Sequence, residues 1–509
     1  MKRLKVALSA AILAVSTLPG LAQSDAINSP FVVAINHEPD TLDPSISVNT
    51  VISRPTLENI VEPIVALDAE GNLVPGVADF AYSEDGTVLT FTIKEGVTFH
   101  NGMPLTADDI VFSHERMAER SSIYQSRLRN FDRVEKVDER TVRFIFKSPD
   151  VTYLPPRNLT VLSKAYYDEV GEEGFVANPV GTGPYKLVSY TPGQSMELEA
   201  FEEYHGGAPD VKSVRFVFVK EDSTRVAMLR AGEADLVLNV PFSDRNALAD
   251  DGYTIEEVAV TPTVSVQFTL NNPDVPWHDV RVRRAIAHAI DADGIVQGLF
   301  DGVPKRHAAF GPNEVGFDPE LENYAFDPAL AKELLAEAGY PDGFDMPLIW
   351  WRGENSGLKE TAEAVSIYLQ QVGINTDVSS LDVPDFVGKI RAAKGEGSQE
   401  AWVGITPTPL AEYFDPTIAL AFTFWSASPF AQWKNDDFDA LVSKAVQTVD
   451  PEERAPMVVE ATRILHDQVP QIPLWNNVSV YGMKPGVSYR PAPRHLVRAS
   501  LADIEIAGE

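Results

Sequence analysis

Along this chain of 509 residues, apolar positions recur every second residue over short stretches and every third or fourth over longer ones, and the two rhythms interleave. Leu89, Phe91 and Ile93 alternate with Thr90, Thr92 and Lys94, which predicts a strand with one buried face. The turn formers His100, Asn101 and Gly102 follow, and Thr106 with Asp109 three residues on predicts a capped helix start. Further on, Val214 to Val219, a helix beginning near Ser223 and closed by Gly232, and Leu236 to Val240 predict a compact βαβ unit. Asp279 caps "VRVRRAIAHAI", Asp327 with Pro328 opens the next helix, and Gly339 ends it. The segments "MPLIWW", "LKETAEAVSIYLQQVG" and "INTDVSSL" repeat the order strand, helix, strand. The fold class is therefore α/β. A chain this long exceeds what one core serves, so more than one domain is expected.

Composition narrows the setting. The first residues carry Lys2, Arg3 and Lys5, an apolar run from Val6 to Val15, and small residues Gly20 and Ala22. That pattern is a secretory signal peptide, residues 1–22. The run is too short to span a bilayer, which takes roughly 20 apolar residues. Cysteine is absent, which excludes disulfides, thiol nucleophiles, thiolate metal sites and an acylated lipoprotein cysteine. An exported, unanchored chain of this kind fits the periplasm. The formal charge of −32 becomes −35 once the leader's three cations are gone, and such a surface repels nucleic acid and anionic lipid. Arg281, Arg283 and Arg284 stand out on this acidic chain and read as a solvated helix face.

The candidate chemistry is sparse. In "EGVTFHNGMPLTADDIVFSHER", His100 sits at a turn and His114 lies beside Glu115, but no HExxH follows, and the histidines read as solvated turn and helix-face residues. "GTGPY" (Gly181 to Tyr185) is too short for a dinucleotide fingerprint. It is either a tight turn feeding a strand or a turn whose backbone approaches a ligand closely. No GxSxG and no Walker loop occur, so nothing orders a catalytic triad or a phosphate cradle. Most of the seven tryptophans cluster between Trp350 and Trp433, several at predicted strand ends, as one aromatic wall of a pocket would be.

Taken in order, "EPDTLDP" (Glu38 to Pro44), the block from Leu73 to Arg116, "NPVGTGPYKLVSYTPG" (Asn178 to Gly193), "DSTRVAMLRAGEADLV" (Asp222 to Val237), "FTLNN" (Phe268 to Asn272), "VRRAIAHAID" (Val282 to Asp291) and "FDPALAKELLAEAGY" (Phe326 to Tyr340) resemble the family 5 extracellular solute-binding proteins of ABC transporters, the dipeptide, oligopeptide and nickel binding group. The resemblance implies the two-lobed periplasmic binding protein fold, type II and cluster C-like, with an extra subdomain inserted in lobe I. It divides the chain into lobe I (23–67, 181–268 and 480–509), the insert (68–180) and lobe II (269–479), with crossings near Thr269 and Val480. It implies a monomer that needs no cofactor, metal or catalytic residue. The partners it implies are a small-molecule or peptide ligand and the transmembrane subunits of an ABC permease with their ATPase.

Candidate ligand contacts are Asn36 and His37 after the first strand, Thr182 and Tyr185 in the glycine turn, Asn271, Trp351 with Arg352, Trp402, Asp415, and Phe424 with Trp425. In the family's peptide binders a strand ending in Trp is followed three residues later by an aspartate that holds the peptide's ammonium group. Here the Trp is Trp402 and that position is Ile405, so Asp415 or Glu412 would have to substitute. Arg352 lies near where family members present a carboxylate-binding cation, and pairs either with a ligand carboxylate or with a surface acid. Peptide-like compounds lead the ligand classes, followed by opine-like carboxylated solutes and by oligosaccharides, whose rings stack on tryptophan. An exported hydrolase is the alternative of another class.

Overall fold

A computed structural model describes residues 29–47, 50–68, 73–120, 124, 128–153, 159–312, 314–352, 357–395, 397–407, 415–489 and 501–506. The leader, 1–22, and Glu412 lie outside the described residues. The strands in chain order are β1 (Phe31–Ile35), the short pair β2 (Val65–Leu67) and β3 (Leu73–Pro75), then β4 (Ala78–Tyr82), β5 (Val88–Ile93), β6 (Phe131–Lys136) and β7 (Thr141–Phe146). They continue as β8 (Tyr185–Thr191), β9 (Ser195–Ala200), β10 (Ser213–Phe218), β11 (Leu236–Leu238), β12 (Thr254–Phe268), β13 (Phe344–Arg352), β14 (Ile374–Asp382), β15 (Val403–Pro407) and β16 (Gln471–Met483).

β4 to β7 form an antiparallel sheet in the order β4-β5-β7-β6. Its buried face follows the alternation in β5, where Leu89, Phe91 and Ile93 are all at most 1% exposed. The helix Ala107–Arg120 covers that face. Its start is the predicted box: the Asp109 carboxylate accepts from the Thr106 amide at 2.9 Å and hydroxyl at 2.7 Å. The other Asp109 oxygen takes the Lys164 amide at 2.8 Å, so one side chain secures two helix starts.

The two histidines correct their expected solvation. His114 is 3% exposed, with Nδ1 2.7 Å from the Tyr124 hydroxyl, and Phe131 and Phe144 rings pack on it. His100 closes on the glycine turn: Nδ1 faces the Gly181 amide at 3.4 Å and Nε2 faces the Gly183 carbonyl at 2.9 Å. A neutral ring carrying its proton on Nε2 satisfies both contacts. Burial pushes each histidine down to about 4.

Ten strands form one sheet, ordered β14-β13-β15-β12-β16-β11-β1-β10-β9-β8, while β2 pairs with β3 and Val487–Ser488 pairs with Glu505–Ile506 near the end of the chain. Both faces are covered. In β1, Ala34 enters one core while Val33 and Ile35 enter another on the opposite face, and β11 divides in the same way at Val237 against Leu236 and Leu238. β12 and β16 are long antiparallel partners that carry the sheet from one half of the molecule to the other. Their register breaks between Ala259, opposite Val478, and Thr263, opposite Asn476.

Arg283 is also unlike the expected solvated face. It is 4% exposed and donates to the carbonyls of Trp277, His278, Gln468 and Val469, tying its own helix, Val280–Ala289, to the end of helix Pro451–Gln468. Arg284 donates to Asp467 O and Arg281 to Glu337 O, so the three cations cap carbonyl ends.

Candidate functional site

Strand direction locates the crevice. β1 lies between β10 and β11 and runs parallel to both, so the chain crosses over it from one neighbour to the other. In an open α/β sheet, such a reversal leaves a crevice at the carboxyl ends of the strands. β11 ends at Leu238 opposite Tyr481, and Val240 N then donates to Val480 O, which aims these carboxyl ends at the register break of β12 and β16. β13 is likewise parallel to β14 and β15, its neighbours on either side. Pro407, at the end of β15, lies opposite Val264, next to Thr263. The carboxyl ends of both halves therefore face the same break.

On one side of the crevice stand Asn36, His37 and Asn239. Asn239 takes a left-handed φ of 56°, which asparagine tolerates better than most residues, and its Nδ2 donates to Asn36 Oδ1 at 3.3 Å. Behind it Arg225, 1% exposed, donates to Val219 O, Lys220 O, Asn239 O and the Asp222 carboxylate. His37 Nε2 is buried with no hydrogen-bond partner among the described residues. Burial first, and the nearby Arg225 charge second, push His37 down to about 4. The ring is neutral at pH 7 and offers one unused polar atom at the strand ends.

On the other side Trp351 is the last residue but one of β13, its Nε1 buried and without a partner among the described residues, its ring 6.0 Å from Phe386. The segment after Pro407 (408–414) lies outside the described residues. Asn476 at the break has a buried Oδ1, and Trp475 beside it a buried Nε1, neither with a partner among the described residues.

Several other sequence candidates are placed or engaged elsewhere. The Trp402 backbone precedes β15, at the edge of the sheet away from the break, while its ring lies 5.2 Å from that of Phe386, which Trp351 also meets. Trp402 is 1% exposed, and its amide and carbonyl both bond the Thr269 hydroxyl. Thr269 thus lies just beyond the end of β12, and the register break of β12 with β16 falls earlier, at Ala259 to Thr263. Asn271 is at that far edge too, holding Ala393 O with its side chain and Gly397 N with its carbonyl. Ile405 is fully buried in the main core.

Asp415 is paired with Arg454 and accepts from Thr417 N, so its carboxylate caps a helix start. Phe424 is 3% exposed in the same core as Ile405. Tyr185 is wholly buried, its hydroxyl on Val211 O and Leu501 O at 3.0 and 3.3 Å, and Thr182 is wholly buried beside it. The glycine turn does make a close approach, but to its own chain: a Cβ on Gly181 would stand 2.1 Å from Ile60 O, and one on Gly183 2.6 Å from Asn59 O. Arg352 is exposed and donates to Asp382 at 2.8 Å. Trp425 carries the Arg129 guanidinium over its ring.

Asn36, His37, Trp351 and Arg352 are therefore the sequence candidates at strand ends that face the break, and Phe424 lines a small space beside Thr263 and Pro473. Asn239 and Asn476 were not among them. The one local sign for Asn239 is an asparagine between "LVL" and Pro241, and Asn476 carries none.

The chain can be compared with known proteins on this geometry. A profile of bacterial extracellular solute-binding proteins, family 5 Middle, matches residues 72–416. Heme-binding protein A of Haemophilus influenzae is 27% identical over 497 residues, covering 90% of this chain and 89% of that one. Glutathione-binding protein GsiB of Salmonella typhi is 27% identical over 479 residues, covering 90% of each. Among solved structures, the ABC transporter-associated periplasmic binding protein DppA from Helicobacter pylori, in complex with the peptide STSA, superposes with a TM-score of 0.80. It is 23% identical, over 94% of this chain and 98% of that one.

Proposed function

The chain belongs to the bacterial extracellular solute-binding proteins of family 5, and from that premise we propose that it captures a peptide-like solute in the crevice between its two halves and delivers it to an ABC importer. The observation that carries this reading is the convergence of parallel strand ends from both halves on one break in β12 and β16. Two strands crossing side by side make a hinge, and a ligand touching both halves favours the closed arrangement by the contacts it makes only there. In this reading the hinge is Ala259 to Thr263 with Asn476 to Val478, lobe I includes β1 and β8 to β11, and lobe II includes β13 to β15. The insert (68–180) rides on lobe I, to which Arg116 is tied through Asp43 and His100 through the glycine turn. The chain acts as a monomer and binds without catalysis, while the permease and its ATPase supply transport. The leader (1–22) directs it to the periplasm.

A relative named for glutathione and a structural neighbour holding a peptide support a peptide-like ligand. Ile405 in the apolar core and Asp415 bound to Arg454 argue against the usual anchoring of a peptide ammonium at those two positions. Thermal-shift titration with di- and tripeptides, glutathione, opine acids and oligosaccharides tests the reading. A ligand at 100 times its dissociation constant stabilises the fold by about 2.7 kcal/mol. Turnover of any bound compound, or no stabilisation by any class, overturns it.

A further inference from the structure

Resting on that reading, we propose that Arg306 receives a carboxylate of the transported solute, in a chamber of lobe II beside the hinge. The loop Gly302 to Phe310 follows the hinge strand, because Asn476 N donates to Lys305 O at 2.7 Å. Behind it lies a cavity of about 270 Å³ whose walls include Arg306, His307, Phe310, Phe317 and Thr462. A smaller space of about 30 Å³ shares Phe310 and Thr462 and extends the chamber to Thr263 and Pro473, at the register break. The larger space approaches the roughly 300 Å³ at which ligand pockets begin.

The chamber holds a buried cation with an unused donor. The Arg306 side chain is 9% exposed; its Nη1 reaches Asp293 at 2.7 Å, a carboxylate that is itself 81% exposed, while its Nε is buried with no partner among the described residues. The acid on the cavity wall nearest to competing, Asp318, is already held by Arg463 at 2.7 Å and by the Glu320 amide. Glu322, the other, is exposed to solvent. An arriving carboxylate therefore meets, on the cavity wall, a guanidinium whose Nε has no partner among the described residues, in surroundings that screen it less than water does. Asn476 Oδ1, also buried and without a partner among the described residues, offers an acceptor at the same hinge position for a donor on the solute. Arg352 is the poorer partner, since it is exposed and paired with Asp382.

The test is a thermal-shift and calorimetric comparison on the full mature chain, parent and Arg306→Gln, with matched pairs of probes: glutathione and short peptides against the same compounds with every carboxylate amidated, at millimolar concentration. The parent is expected to prefer the carboxylate forms by roughly tenfold or more, and Arg306→Gln to bind both forms alike. If the parent binds amides as well as acids, or if the preference survives in Arg306→Gln, the proposal falls while the solute-binding reading stands. If no carboxylate stabilises the parent, the proposal falls as well, and failure of the amides and sugars too would take the wider reading with it. Should Arg306→Gln not fold, Arg306→Lys carries the same comparison. It keeps the charge without the planar fork, and is expected to retain the preference but to weaken binding of the acid.

Discussion

The guanidinium carbon of Arg129, on the insert, lies 4.5 Å from the centre of the Trp425 ring, on the opposite side of the molecule's crevice. Next to this contact Val151 N donates to Val446 O at 2.9 Å, again from insert to lobe II. The space between them, about 40 Å³, has room for little more than a water molecule. In the hinge motion proposed above, opening parts these groups, which makes the described arrangement the closed one in that reading.

Trp425→Ala is accordingly expected to weaken ligand binding modestly. An exposed cation–π contact contributes about 0.5–1 kcal/mol, which corresponds to a two- to fivefold shift towards the open form and the same loss of affinity by calorimetry. A loss of a hundredfold or more would instead place Trp425 in the ligand's own wall.

Gly181→Ala is expected to damage the fold. The added Cβ would fall 2.1 Å from the Ile60 carbonyl oxygen and 2.7 Å from a Val61 methyl, so the backbone at Ile60 would have to shift. A loss of about 3 kcal/mol or more in urea unfolding is expected. A variant that melts like the parent but no longer binds ligand would return the glycine turn to the binding site.

Stability is expected to fall in mild acid. Burial lowers His37, His100 and His114 from 6.5 to about 4. Each is neutral in the fold and takes up its proton on unfolding, so the stability it contributes is complete above pH 6.5 and is lost as pH falls through 4. Each shift corresponds to about 3 kcal/mol at most. Urea midpoints at pH 7.5 and pH 5 measure the loss, and His114→Gln, which cannot titrate, is expected to flatten the difference. An unchanged difference in that variant would count against the assignment.

Arg352→Ala is expected to leave binding intact. Its side chain is 56% exposed and its partner Asp382 sits directly across the strand pair, at a register position shared by β13 and β14. Such pairs contribute about 0.2–1 kcal/mol to stability. Calorimetry with any ligand from the panel checks this, and a tenfold or larger loss of affinity would restore Arg352 as the carboxylate's partner.

Features set by near neighbours were legible in the sequence. Thr106 and Asp109 form their capping box, Asp279 and Asp327 cap their helices, and Gly232 ends its helix in a left-handed conformation, because each depends on residues within one turn. The family resemblance rested on the same local punctuation. The site was less legible because pairing across the chain decides which end of a strand faces the crevice. Trp402 and Asn271 fall at the far edge since β15 runs antiparallel to β12, a fact that neither segment states by itself. Asp415 finds Arg454 39 residues away, and Tyr185 finds Leu501 316 residues away. Arg306 and Asn476 gave no local signal, and their places follow from one hydrogen bond between a loop and the hinge strand.

Small-angle X-ray scattering of the mature chain, with and without a solute that raises its melting temperature, tests hinge closure most directly. The account predicts that the solute lowers the radius of gyration and narrows the distance distribution, because free protein populates a form in which Arg129 and Trp425 are apart. Identical curves fitted by a single rigid shape, with and without bound solute, would contradict it.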